Sequence, residues 1–436
     1  FKSDCTEGYA YLTYYFGSNL NIEDSAAINN KGEALFKKDK VLPGGIYAVV
    51  YNDKKISTEF LVDKQQNISI VASMAKPAEA LITGSDENVL FRQYQLFVNE
   101  QGKKLNQERL LYNEAKTAAD SILHEKKYAA LNKELNDYRL KIETEKPTSM
   151  MSSLLEAMKA SPLPENQPIT RQDSLDNFKF YKSHYWDGIT FMDGRIVRTP
   201  FFLPKLERYY REVLAGMPAD SIIKDIDYIL LLARTAPEMY KLLLNWFTDE
   251  YINPKYMGQD AIFVHLFEKY HSKGLTPWLN ETQLKSISNR AYMQMSNLLG
   301  NIAANMEMLN TADKPTALYD VKADYTLVLF WDPNCGHCKE ELPHIDSIYR
   351  AKWKQENVKI YAVLTEDNHP LWINYIKEHN LSDWLNVYQS EAMKKEEQDA
   401  GKISYRQLYD VIMKPTLFLL DQETRIIGKK LTWQQL

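Results

Sequence analysis

Cysteine is scarce in this chain: three residues in 436, at Cys5, Cys335 and Cys338. One close pair and a lone thiol make no disulfide framework, which excludes a small domain held together by crosslinks. Long apolar runs are missing as well. No stretch of eighteen or more apolar residues occurs, so the sequence contains no transmembrane helix. Neither sign of charge dominates, since 53 Lys and Arg stand against 58 Asp and Glu for a formal net charge of −5. Basic runs are short and mixed with acids, as in His124-Glu125-Lys126-Lys127, which argues against nucleic acid as a partner. No repeat of fixed period is present. Phe1 is not an initiator Met and no signal-peptide pattern follows it, as in a chain that starts after a removed targeting segment or at an expression boundary.

What is present suits a soluble globular protein: 44% apolar and 25% charged residues, at a length that holds about two to four domains. The pattern predicts a multidomain α+β chain in three parts. Residues 1–84 read as a small antiparallel β domain. Tyr9, Tyr11 and Thr13 alternate with Ala10, Leu12 and Tyr14, although both faces are rather apolar. Further strands are expected at 46–51, 57–62 and 67–71, with turns at Pro43-Gly44-Gly45 and Asn52-Asp53-Lys54-Lys55. Residues 85–310 read as an all-helical domain: long amphipathic helices over 86–146, a Pro-rich linker near 161–168, and a helical bundle over 175–310.

Residues 311–436 carry a βα pattern and the chemistry. Tyr325 to Trp331 is a mostly apolar run, as a strand buried on both faces would be. Leu342, Ile345 and Tyr349 then recur at helical spacing. Between them lies Cys335-Gly336-His337-Cys338. A thiol at a strand-to-helix junction meets unpaired backbone N–H groups and the positive end of the helix dipole, which favour a thiolate. A second thiol one turn on can displace whatever the first captures. CxxC beside a βαβ pattern therefore reads as a thioredoxin-like redox site. Strands are also expected at 358–364 and 384–388, a helix at 371–379, and an antiparallel pair at 416–421 and 425–430.

The residues around that motif resemble the extracytoplasmic thioredoxin-like thiol-disulfide oxidoreductases of the TlpA/ResA kind. Phe330-Trp331, Cys335-x-x-Cys338, Glu341 and Pro343 stand at the family's FW-x-x-x-C-x-x-C-x-x-E-x-P spacing, and Pro415-Thr416 resembles its cis-proline strand. His184-Tyr185-Trp186-Asp187, Arg198-Thr199-Pro200 and Met257-Gly258 resemble recurring pieces of a multidomain subgroup typical of Bacteroidetes. Departures are Asn334 for the second Trp of a usual WCxxC, Leu329 where cytoplasmic thioredoxins carry a buried Asp, and Lys414 before the proline. Gly336-His337 matches disulfide isomerases. The resemblance also implies a final helix over one sheet face, for which the sequence leaves no residues after Leu436.

The resemblance implies roles. Cys335 is the expected nucleophile and Cys338 the resolving thiol. Glu341 is the expected proton donor or acceptor near the buried thiol, in place of the missing Asp. Pro415 is expected to be cis and to pack against the pair, leaving the preceding backbone free for a substrate segment. Trp331, His337, Lys414 and Thr416 are expected to shape substrate contact and thiol pKa, with His337 and Lys414 adding positive charge. No cofactor or metal is expected, the redox-active Cys335–Cys338 disulfide carrying the electrons; a zinc half-site lacks its second CxxC or CxxH. The implied function is exchange with protein thiols and disulfides outside the cytoplasm. Partners would be a substrate protein and a membrane-linked electron donor or acceptor, with self-association and membrane anchoring as further expectations. The rival reading is a binding or scaffold protein whose thioredoxin-like module is redox-inert.

Overall fold

The computed structural model describes residues 1–17, 19–51, 56–73, 75–76 and 79–436, and the expected turn Asn52-Asp53-Lys54-Lys55 lies outside them. The chain forms two compact units, Phe1–Met217 with Ile226–Leu244, and Pro218–Asp225 with Asn245–Leu436.

In the first unit, β1 (Tyr9–Phe16), β2 (Asn19–Ala27), β3 (Gly45–Tyr51) and β4 (Ile56–Val62) form an antiparallel sheet in the order β2-β1-β3-β4. A separate two-stranded sheet pairs β5 (Ser69–Val71) with β6 (Leu81–Thr83). The helices are α1 (Asp86–Glu114), α2 (Ala118–Glu145), α3 (Met150–Ala157), α4 (Arg171–His184) and α5 (Phe202–Arg208). The larger sheet is apolar on both faces because both faces are covered. Tyr47, Val49 and Tyr51 pack with Leu12, Phe60 and Val62 on one side. Ile46 and Leu61, one residue out of phase, pack with Tyr94, Ile142, Met150 and Leu154 on the other. β2 was not legible as a strand because its sequence NLNIEDSAA is polar and Ile22 points to solvent. Asn88 of α1 grips the main chain of β4 by two bonds, Nδ2 to Leu61 O at 2.7 Å and Leu61 N to Oδ1 at 2.8 Å.

The helices α6 (Ala219–Ala233) and α7 (Pro237–Tyr251) contribute residues to both units.

The second unit adds α8 (Asp260–Leu266) and α9 (Glu281–Met295), then β7 (Glu307–Asn310), β8 (Pro315–Ala317), β9 (Tyr325–Trp331), α10 (Gly336–Ile348), β10 (Val358–Leu364), α11 (His369–Glu378), β11 (Leu385–Tyr388), α12 (Glu391–Asp399), α13 (Tyr405–Leu408), β12 (Thr416–Asp421) and β13 (Ile426–Lys429). The sheet order is β13-β12-β9-β10-β11-β7-β8, with β9, β10 and β11 parallel and the other neighbours antiparallel. β9 is central and buried on both faces. Leu327, Leu329 and Trp331 point into a core built on α10 and α11, while Val328 and Phe330 meet Met306, Tyr405 and Tyr409 on the other side. This is why the strand reads as a mostly apolar run.

The expected boundary at 310/311 falls inside a hairpin. β7 pairs with β11, and the segment before it already joins the sheet, Ala303 N donating to Thr424 O at 2.9 Å. The hairpin turns on Asn310, whose side-chain oxygen accepts from Ala312 N and Lys314 N, with Asp313 at φ +55°. That boundary therefore moves upstream, to about residue 299, where Gly300 N bonds Ile426 O at 2.8 Å.

Candidate active site

β9 delivers the site. Trp331, its last residue, is fully buried, and its carbonyl accepts from both Thr365 N and Thr365 Oγ1 at 3.0 Å, which ties the strand end to β10. The chain then turns sharply. Asp332 Oδ1 accepts from Asn334 N at 2.9 Å, and Asp332 O accepts from Cys335 N at 3.1 Å. Cys335 is thereby set as the N-cap of α10, and Cys338 in its first turn. Both are free thiols.

Cys335 is half-buried, and its Sγ donates to the Lys414 carbonyl at 3.4 Å. The Lys414–Pro415 peptide is cis. Thr416 opens β12 beside Phe330 and donates its hydroxyl to Met413 O at 2.6 Å, closing the turn around the proline. Cys338 is 1% exposed. Burial pushes its thiol up to about 12; a bond from the Asp332 backbone opposes this, while the neighbouring Cys335 and the Asp332 charge add to it. Cys338 is thus an inner, buried thiol beside a partly open outer one.

Lys414 pairs its ammonium with Glu366 Oε1 at 2.7 Å and Asp332 Oδ2 at 3.3 Å. Burial lowers its pKa, but the two carboxylates outweigh that and the net shift is upward. The hydrogen bond that Lys414 makes with Cys335 is through its carbonyl oxygen. His337 is 81% exposed and has Glu340 at 3.7 Å. Glu341 is half-buried, and burial raises its pKa; its charged neighbours are His337, Glu340 and His344, all on α10. Among the smaller influences on Cys338 is the charge of Asp332, whose carbonyl accepts the Cys335 N–H at 3.1 Å.

Asp332 and Glu366 were not singled out from sequence. Asp332 could have been, as an acid three residues before the first Cys. Glu366 follows the C-terminal end of β10, the edge where open α/β sheets carry their sites. Beyond Glu366 lies a cavity of about 260 Å³ that includes Asp367, His369, Tyr388, Glu391 and Lys394, the last paired with Asp367 and Glu391. Cys5 lies in the other unit, donating to Glu7 O at 3.2 Å. Among the described residues no group of three or more His, Cys, Asp or Glu is placed to hold a metal ion, and no helix is long and apolar enough to cross a membrane.

Comparison with known proteins fits this geometry. Residues 299–428 match the AhpC/TSA family, and residues 136–297 match a domain of unknown function (DUF5106). The thiol-disulfide oxidoreductase ResA of Bacillus thuringiensis subsp. konkukian is 26% identical over 129 residues, 30% of this chain and 67% of that protein. A domain of a possible thiol-disulfide isomerase from Cytophaga hutchinsonii is 32% identical, covering 32% of this chain and 87% of that one, with a TM-score of 0.27. A thioredoxin-like protein from Bacteroides caccae is 21% identical, covering 64% of this chain and 96% of that one, with a TM-score of 0.47. Residues 299–428 are thus a thioredoxin-like domain of the AhpC/TSA family, similar in sequence to the thiol-disulfide oxidoreductase ResA.

Proposed function

We propose that this protein exchanges disulfides with partner proteins through its Cys335-Gly336-His337-Cys338 pair, in an extracytoplasmic compartment. The observation that carries the reading is the pairing of a half-buried thiol at a helix N-cap with a buried thiol in the same first turn. Cys335 attacks a substrate disulfide as the thiolate, forming a mixed disulfide and releasing one substrate thiolate, which takes up a proton. Cys338 then gives up its proton and attacks Cys335 Sγ. The Cys335–Cys338 disulfide forms, and the second substrate sulfur leaves as thiolate. Two electrons pass from the protein to the substrate with no other cofactor. The reverse sequence oxidises a substrate dithiol.

Each turnover leaves the pair in the opposite state, so a second partner must reset it. A membrane-linked electron donor or acceptor fits that need, and the resemblance to the TlpA/ResA group supports both this partner and the compartment. The exposed Ile412 and Met413 just before Pro415 support an extended protein segment as substrate. Insulin reduction by wild type and Cys335→Ser tests the reading: wild type is expected to be active and the variant silent. Equal rates would leave the redox-inert scaffold. Direction follows from the potential of the pair, where a value near about −270 mV marks a reductant and one above about −180 mV an oxidant or isomerase.

A further inference from the structure

Helix α9 lies outside the region matched to the thioredoxin-like family, yet it reaches the loop beside Cys335. Arg290 Nη1 donates to Asp410 Oδ1 at 2.6 Å. Its Nη2 meets Asn253 Oδ1 at 3.1 Å. The Asp410 side chain has no exposure, and its other oxygen accepts from Lys430 Nζ at 2.5 Å. Asp410 also holds φ at +50°, a left-handed conformation that Asp tolerates better than most residues. A second tie comes from Asn297, whose Nδ2 donates to Leu408 O at 2.9 Å.

Asp410 stands at the foot of residues 411–414. Val411 N bonds back to Arg406 O at 2.8 Å, and Ile412 N to Asp410 O at 3.0 Å. Ile412 and Met413 then project to solvent, 64% and 75% exposed, and the Lys414 carbonyl receives the Cys335 thiol. The ion pair thus holds one end of a four-residue stretch, and the Thr416 hydroxyl bond to Met413 O and the Cys335 bond to Lys414 O hold the other. A buried carboxylate that loses a partner is costly, so the loop's anchor depends on a residue from another part of the chain.

We propose that Arg290 is a positioning residue for disulfide exchange: through Asp410 it fixes the loop whose Lys414 carbonyl and exposed Ile412 and Met413 meet a protein substrate. This rests on the oxidoreductase reading, and it gives the helical region a task in the chemistry.

The test uses the full chain with Arg290→Met, and Arg290→Lys as the conservative variant. Two quantities are read on folded protein: amide hydrogen exchange over residues 411–414, and the ratio of exchange rates with insulin and with a small aromatic disulfide. A small disulfide needs the thiol but little of the loop. In Arg290→Met the amides are expected to exchange about tenfold faster and the rate ratio to fall about tenfold. Arg290→Lys is expected to recover most of both. An unchanged ratio overturns the proposal even if the loop loosens, and so does a parallel fall of both rates. Should Arg290→Met fail to fold, Asp410→Asn is read in the same way. If wild type exchanges with neither disulfide while the variant's amides loosen, the oxidoreductase reading falls and the bracing of the loop by Arg290 stands.

Discussion

Cys335 Sγ donates to the main-chain oxygen of Lys414 at 3.4 Å, across 79 positions of sequence. The same lysine returns its ammonium to Asp332, and the Asp332 carbonyl accepts the Cys335 N–H. Three residues thus close a ring that joins the redox turn to the loop entering β12.

Cys338→Ser is expected to trap substrate. Without the inner thiol, nothing in the first turn can displace a mixed disulfide on Cys335. Mass spectrometry after incubation with a disulfide-containing protein should show a covalent adduct that dithiothreitol releases. Cys335→Ser should give none. An adduct that forms on Cys335→Ser and not on Cys338→Ser would reverse the two roles.

The inner thiol also makes stability depend on pH. Cys338 is pushed from an ordinary value of 9.0 to about 12, burial being the first cause. Between those values an unfolded chain has released this proton while the native chain keeps it. The contribution is complete below pH 9 and is lost as pH rises toward 12. The reduced protein should therefore lose stability as pH rises from about 9 toward about 12, by at most about 1.4 kcal/mol per pH unit from this one group. Urea unfolding of wild type and Cys338→Ala isolates it, since tyrosines titrate in both. Parallel curves would mean that the folded thiol is not held protonated.

The redox strand and its cysteines were legible because their signal is local: β9 is buried on both faces, and the two thiols are three residues apart. The hairpin of β7 and β8 was not, since short strands with half-exposed side chains carry little periodicity. Electrostatics was the least legible layer. Lys414 stands 48 positions from Glu366 and 82 from Asp332, and no local pattern says that its ammonium faces them while its carbonyl faces the sulfur. The pairing of Arg290 with Asp410, 120 positions apart, is hidden for the same reason.

In the first unit, Gly45→Ala is expected to be destabilising for want of space. A Cβ there would meet Arg198 Cβ at 2.3 Å and Cδ at 3.0 Å. Arg198 cannot easily yield, since it bonds Glu238 at 2.9 Å and lies 4.0 Å over the Tyr14 ring. Overpacking of this kind costs about 1–3 kcal/mol. The urea midpoint should fall accordingly, and an unchanged midpoint would show that β3 can shift away from Arg198.

The Asp332–Lys414 pair should behave as one unit. The Asp332 side chain is 8% exposed, so Lys414→Met leaves a buried carboxylate with no cation, at about 1–3 kcal/mol. Asp332→Asn should be milder, because Lys414 keeps Glu366 and the amide oxygen can still accept from Asn334 N. Glu366→Gln should fall below about 1 kcal/mol, its side chain being 44% exposed. In a double-mutant cycle of Asp332→Asn with Lys414→Met, the coupling is expected at about 1–2 kcal/mol. Both single variants should also slow insulin reduction, because each frees the Lys414 carbonyl from its place over Cys335. Additive stabilities, within about 0.3 kcal/mol, would show that the lysine and the aspartate act independently and that the ring does not hold the redox turn.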